Sequence, residues 1–188
     1  MAAVGIDEVG RGSWAGPLLV VAARQIGDLP AGLADSKLLS KKRREALFYD
    51  IEIACDLGQG WVQPVEINRI GLARAMHLGV KRALLALRAD AQEEIIMDGN
   101  FNYCPKKYKH AQCIIDADAT HPIVSAASIY AKVLRDRYMT QVSLKYPNYH
   151  FHKHVGYGTK LHREMVKLHG ACELHRINWR PFQEQTSV

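Results

Sequence analysis

The residues from Val4 to Val9 are β-prone and run into Gly10-Arg11-Gly12, after which a second apolar run starts at Leu18 and meets no charge before Arg24. Two adjacent strands joined by a glycine-rich bend are the simplest reading. Beyond Asp35-Ser36-Lys37, Ser40 is placed to cap a helix that carries Leu47, Phe48, Ile51 and Ala54 on one face, with Gly58 as its stop. Trp61-Val62 fits a further strand. From Leu72 to Arg88, Ala73, Met76, Val80, Ala83, Leu84 and Leu87 recur at three- and four-residue steps, while Arg74, His77, Lys81, Arg82 and Arg88 take the other side, so this segment predicts an amphipathic helix.

Two later apolar runs end in acids: Glu94 to Asn100, through Asp98-Gly99, and Gln112 to Asp118. Both predict buried strands that deliver a carboxylate at their ends. Pro122 suits the first turn of a helix that continues from Ile123 to about Tyr146, where Pro147 breaks it. Near its start, Ser125-Ala126-Ala127-Ser128 presents only small side chains. Tight packing of helix on sheet and close approach of a polynucleotide both account for them. Thr159 to His169 predicts another helix, ended by Gly170, and the tail beyond is less regular.

Composition narrows the class. At 188 residues, 48% of them apolar, the chain is long enough for one substantial core. A formal net charge of +6 favours an anionic partner. Cys55, Cys104, Cys113 and Cys172 are scattered and form neither a C-x-x-C pair nor a disulfide framework, which predicts free thiols in a reducing compartment. Carboxylates appear before any stretch that could serve as a signal peptide, and no apolar run is long enough to span a bilayer, so a cytoplasmic protein is expected.

The chemistry lies in the acids. Asp7-Glu8, Asp98 and Asp118 each end or follow an apolar β-like run. Such acids often cap turns in solvent, but several converging at strand ends would repel one another and shift towards protonation unless a hard divalent cation sat between them. Mg²⁺ suits an oxygen-only set that substrate phosphate completes, and a pair of such ions supports phosphodiester hydrolysis. Asp7 and Glu8 should point to opposite faces of an ideal strand, so irregular backbone just beyond them, made possible by Gly10 and Gly12, is expected, and the longer Glu8 side chain could reach around the strand end.

The blocks Gly5-Ile6-Asp7-Glu8-Val9-Gly10-Arg11-Gly12, Asp35-Ser36-Lys37, Ile96-Met97-Asp98-Gly99-Asn100, Asp118, Ser125 to Lys132 and Gly156-Tyr157 together resemble bacterial ribonuclease HII, a type 2 ribonuclease H, in the family's order as far as about His169. The resemblance implies an α/β, RNase H-like fold: a mixed five-stranded sheet flanked by helices, in one catalytic domain over 1–188 whose part from about 150 to 188 is a helical substrate-binding extension. It implies Asp7, Glu8, Asp98 and Asp118 as the catalytic, metal-holding set for Mg²⁺ or Mn²⁺, with Asp7 bridging. Asp116 is passed over because the spacing to the Ser125 block matches at Asp118. The main chain of Gly10-Arg11-Gly12 would sense a ribose 2′-OH, and Tyr157 would stack on the sugar of the adjoining deoxynucleotide. Ser36, Lys37, Asn100, Ser125, Lys132 and Arg135 complete the expected substrate contacts, with Arg11, Lys37, Lys132 and Arg135 on phosphates.

The activity implied is cleavage of the RNA strand of RNA/DNA hybrids and incision 5′ to single ribonucleotides embedded in duplex DNA, leaving 3′-OH and 5′-phosphate ends. Nucleic acid is the expected partner, a membrane is not, and the chain is expected to be a monomer. A partner in replication is left open. Leu38, Ser13-Trp14 and Val155 depart from the family's pattern and bear on substrate contacts. His150, His152 and His154 alternate, so on a strand they would share a face and could bind a transition metal, although no fourth ligand accompanies them. A binding module that has lost catalysis is opposed by the intact acid set. Ribonuclease HIII is a chemical rival that usually carries an additional N-terminal domain, whereas the first acidic strand here begins almost at Met1. A DNA nuclease or integrase of the same fold fits the Gly-Arg-Gly and tyrosine pair less well.

Overall fold

The computed structural model describes residues 3–33, 39–179 and 182. Its centre is a five-stranded sheet in the order β3-β2-β1-β4-β5, built from β1 (Val4–Val9), β2 (Leu18–Gln25), β3 (Cys55–Val62), β4 (Ile95–Asp98) and β5 (Ala111–Ile114). The first three strands pair antiparallel, and β4 and β5 add in parallel to β1. The mixed sheet and its flanking helices agree with the expected class.

Alternation along β1 sorts its side chains between two cores. Val4 and Ile6 face α2 (Pro64–Ile70) and α3 (Leu72–Ala86), joining Val20, Met76, Val80 and Leu84. Val9 faces α1 (Lys41–Ala54) and α5 (Pro122–Lys145), joining Val21, Phe48, Ile51 and Ala127. Both layers sit close. Ser40 caps α1 by accepting from the Arg43 N–H at 3.2 Å, and the helix buries Leu47, Phe48, Ile51 and Ala54, the face that the periodicity predicts.

Gly58 does not stop α1. The helix ends at Ala54 and passes directly into β3, which contains Gly58 and Gly60. These glycines admit α3: a Cβ at Gly58 would lie 2.1 Å from the Ala83 carbonyl oxygen, and one at Gly60 only 1.9 Å from that of Gly79. In α3 itself Ala75 and Gly79 are buried where Ala73 was expected, because the contact face follows β3.

The small residues of α5 serve the same purpose. Ser125, Ala126, Ala127 and Ser128 are all buried, and a Cβ at Gly5 would meet the Ile123 main chain at 2.6 Å. Helix-on-sheet packing therefore accounts for most of this stretch. After β5 the chain forms α4 (Ala117–Thr120), so Asp118 lies in a short helix rather than at a strand end, and β5 is only half-buried. Two short helices, α6 (Phe151–His154) and α7 (Lys160–His169), follow, with Thr159 capping α7. They contribute to a third core of Ala15, Met139, Tyr149, Phe151, Val166, Leu174 and Phe182. No helix among the described residues is long and apolar enough to cross a membrane, and all four cysteines are free thiols.

Candidate active site

At the carboxyl ends of β1 and β4 lies a cleft of about 370 Å³ lined by Asp7, Glu8, Val9, Gly10, Arg11, Gly12, Asp98, Ser128, Lys132 and Tyr157. The sequence puts it there: in a parallel β1–β4 pair the carboxyl ends coincide, so acids that end each strand meet. Asp7 and Glu8 reach it from a straight strand, the bend lying just beyond them at Gly10, where φ is +85°. β1 keeps its register through Val9 opposite Leu19, and the cleft opens across the strand end so that side chains of both faces line it.

Asp7 is almost wholly buried and accepts from the Glu8 N–H at 2.7 Å. Burial raises its pKa well above the ordinary carboxylate range, the charges of Glu8 and Asp98 push in the same direction, and a hydrogen bond from Ser128 partly opposes them. Ser128 lies one helical turn beyond Ser125. Ser125 was the expected contact, but it is buried outside the cleft lining, and the i, i+3 spacing on the same small-residue face is the signal that points to Ser128. Asp98 shares the face of Asp7 and accepts from the Ala117 N–H at 2.8 Å. That bond ties α4 to the site; Asp118, the next residue, is buried and outside the cleft lining. Asp116 is exposed with φ +56° and forms the left-handed entry to α4.

Three carboxylates on an open cleft, one of them driven towards protonation by burial first and by its acidic neighbours second, form an oxygen-only set suited to a hard divalent cation completed by water and phosphate. Among the described residues no group of three His, Cys, Asp or Glu side chains is arranged to hold a metal ion as it stands. The histidine triplet is among those that do not gather. His150 precedes α6 in a left-handed conformation, His152 is exposed and contacts Ser143, and His154 is buried against His162 with ring centroids 4.3 Å apart. A helix has replaced the strand that would have aligned them.

The cations divide sharply. Arg11 is exposed and lies 3.5 Å from Glu8, and Lys132 is half-buried, paired with Asp136 at 2.9 Å and 5.8 Å from the Tyr157 ring. Arg135 is different: it is fully buried and cannot reach a phosphate. It donates to the oxygens of Pro17, Ala15 and Val155 and to Ser13 Oγ, at 2.8 to 3.2 Å. Arg176 is equally buried and donates to the carbonyls of Arg11 and Gly16. Among the described residues neither guanidinium has an ion-pair partner. Together they hold the segment from Gly10 to Pro17 beneath the cleft. Gly10, with φ +85°, is where that segment bends, and a Cβ there would meet Arg135 Nε at 2.2 Å.

Ser13, Trp14 and Val155, the departures noted above, belong to this internal frame. Ser13 bonds Arg135, Trp14 covers Gly158 and His162, and the Trp14 and Ala15 amides donate to the Gly156 carbonyl at 2.8 and 3.1 Å. Val155 carries φ +44°, rare for a β-branched residue, and its carbonyl accepts from Arg135. Asn100 is exposed just beyond Asp98, whereas Ser36, Lys37 and Leu38 lie outside the described residues.

The profile of the family described as Ribonuclease HII matches residues 4–182. The chain is 43% identical over 187 residues to a ribonuclease HII of Marinomonas sp., covering 96% of this chain and 90% of the relative. With that of Albidiferax ferrireducens it is 42% identical over 185 residues, covering 96% and 86%. Among solved structures, an RNase HII from Archaeoglobus fulgidus in complex with PCNA superposes with a TM-score of 0.80 at 25% identity, covering 96% of each chain. The ribonuclease H2 of Pyrococcus horikoshii follows with a TM-score of 0.74 at 26% identity, covering 98% of this chain and 96% of that one. On this sequence and fold, the chain belongs to the ribonuclease HII family and is a type 2 ribonuclease H.

Proposed function

We propose that the protein hydrolyses the RNA strand of RNA/DNA hybrids and incises 5′ to single ribonucleotides embedded in duplex DNA, leaving 3′-OH and 5′-phosphate ends. The observation that carries this reading is the sharing of one cleft by Asp7, Glu8 and Asp98 with the Gly10-Arg11-Gly12 main chain and the Tyr157 ring. Phosphodiester chemistry and a means of sensing a ribose are thereby juxtaposed.

Asp7, Glu8 and Asp98, with Asp118 supporting from α4, would hold divalent cations, Mg²⁺ or Mn²⁺. When bound, a pair of such ions supplies an activated water and stabilises the leaving oxygen. The protein's own part is positioning. Ser128 and the Glu8 amide orient the Asp7 carboxylate, and the Ala117 amide orients that of Asp98. Amides and carbonyls between Gly10 and Gly12 meet the 2′-OH, which both donates and accepts. Tyr157 would offer its ring to the neighbouring deoxyribose, and Arg11, Lys132 and Asn100 would contact flanking phosphates or sugars. The Archaeoglobus relative's complex with PCNA makes a sliding clamp the first protein partner to try.

The test is incubation with a duplex carrying one embedded ribonucleotide, an RNA/DNA hybrid and an all-DNA duplex, with Mg²⁺, with Mn²⁺ and with EDTA. Metal-dependent cutting of the first two at the 5′ side of ribose, with the third intact, is the expected result. Cutting of the all-DNA duplex, or cutting undiminished in EDTA, would overturn the reading.

A further inference from the structure

Arg11 links the cleft to a second group of side chains. Its Nη2 donates to Tyr103 Oη at 3.4 Å; Tyr103 is buried and packs against Phe101 at 4.7 Å and edge-on to His77 at 5.1 Å between ring centroids. His77 donates from Nδ1 to the Tyr103 carbonyl at 2.9 Å and meets Phe101 edge-on at 6.0 Å. Phe101 thus rests on two anchored rings and is nevertheless 54% exposed, three residues after Asp98. On α3, Arg74 and Lys81 are exposed one turn to either side of His77, and the helix carries no acidic residue.

A single exposed phenylalanine is ordinary. A braced one beside a cleft, with three exposed cations around it, offers a rigid apolar surface to a polyanion at little entropic cost. A site that senses the 2′-OH must approach the minor groove, where sugars line the walls. We infer that Phe101, mounted on Tyr103 and His77, packs against the sugar edge of the duplex as it leaves the cleft, while Arg74 and Lys81 contact its flanking phosphates. The inference rests on the nuclease reading of the cleft and adds a surface to it.

The test compares wild type with Phe101→Ala, Phe101→Leu and the double variant Arg74→Gln/Lys81→Gln on a duplex of about 30 base pairs carrying one ribonucleotide. Loss of an apolar contact of about 1 kcal/mol corresponds to a roughly fivefold rise in KM for Phe101→Ala, with kcat within about twofold, and Phe101→Leu should recover part of it. The double variant should raise KM and flatten its dependence on salt by about two phosphate contacts. In an Asp7→Asn background, hydroxyl-radical footprinting of the flank should show one or two sugars protected, and Phe101→Ala should abolish that protection. Unchanged KM together with an unchanged sugar-protection pattern, in an enzyme whose wild type cuts the duplex, would refute the surface and leave the nuclease intact. A wild type that neither binds nor cuts the duplex refutes both.

Discussion

Arg176 donates from Nη1 to the main-chain oxygen of Arg11 at 3.1 Å, across 165 residues of sequence. The bond fixes one peptide of the Gly10-Arg11-Gly12 turn from beneath, and Arg176 Nε and Nη2 fix the Gly16 carbonyl at 3.1 and 2.9 Å. Burial, and next the charge of Arg135, lower the Arg176 pKa, so the pair is held at an energetic cost that the carbonyl contacts offset. Arg176→Met would leave the buried Gly16 carbonyl and the part-buried Arg11 carbonyl without these donors, at about 1 to 3 kcal/mol for the buried one and less for the other. A fall in stability of about 2 to 4 kcal/mol in urea unfolding is expected, with preference for ribose-containing over all-DNA duplex falling further than the loss of folded protein explains. An unchanged preference in the folded fraction would show that the turn holds its shape without Arg176.

Gly10 and Gly12 should separate stability from ribose sensing. Gly10 combines φ +85° with a Cβ position 2.2 Å from Arg135 Nε, so Gly10→Ala strains the backbone and disturbs a buried cation. A loss of about 2 kcal/mol or more is expected. At Gly12 a Cβ meets nothing within 4 Å, and φ is not in the left-handed region. Gly12→Ala should therefore leave the melting temperature within about 2 °C while lowering cleavage at a single ribonucleotide about tenfold or more, because under the proposed function the added methyl would stand in the path of the sugar. Equal effects of both variants on melting temperature and on cleavage would contradict this division.

The same contrast explains what could be read from sequence. Helices α1, α5 and α7 were legible because Ser40, Pro122, Thr159 and Gly170 mark their ends and apolar residues repeat within them. Gly58 misled because a glycine that ends a helix and a glycine that admits one look alike; only the 2.1 Å gap to Ala83 distinguishes them. Asp7, Glu8 and Asp98 were legible as strand-end acids, whereas α4 is too short to have a period, so Asp118 was placed on a strand. Arg135 looked like a surface cation since its partners, mostly main-chain carbonyls of Ala15, Pro17 and Val155, leave no trace in side-chain identity.

Asp7→Asn removes the carboxylate that burial and two neighbouring acids disfavour. Activity should fall by about 10³ or more if Asp7 holds the cations on which the chemistry depends. In EDTA the variant should melt at or above the wild-type temperature at neutral pH, because the charge that is lost was repelled in the folded state. Calorimetry beside the cleavage assay checks both. A variant that melts well below wild type would mean that Asp7 stabilises the fold without metal, and its inactivity would then say nothing about catalysis.

Acid should weaken the protein through His162 and His175, whose Nε2 atoms face each other at 3.0 Å in a buried pair. His162 donates from Nδ1 to the Tyr157 carbonyl, so its Nε2 accepts and that of His175 donates. Protonating His162 would set two N–H groups against one another. Burial pulls both residues from 6.5 to about 4. With folded-state values below those of the unfolded chain, the contribution to stability is fully present above pH 6.5 and is lost as pH falls from there through about 4. The loss should amount to about 3 kcal/mol across that window for the coupled pair. His175→Gln keeps a side-chain N–H donor but does not titrate, so urea unfolding of this variant should lose markedly less stability between neutral pH and pH 4.5. Because Tyr157 is anchored by His162, hybrid cleavage in wild type should decline over the same range. Parallel pH profiles of stability for wild type and His175→Gln would place the acid-sensitive group elsewhere.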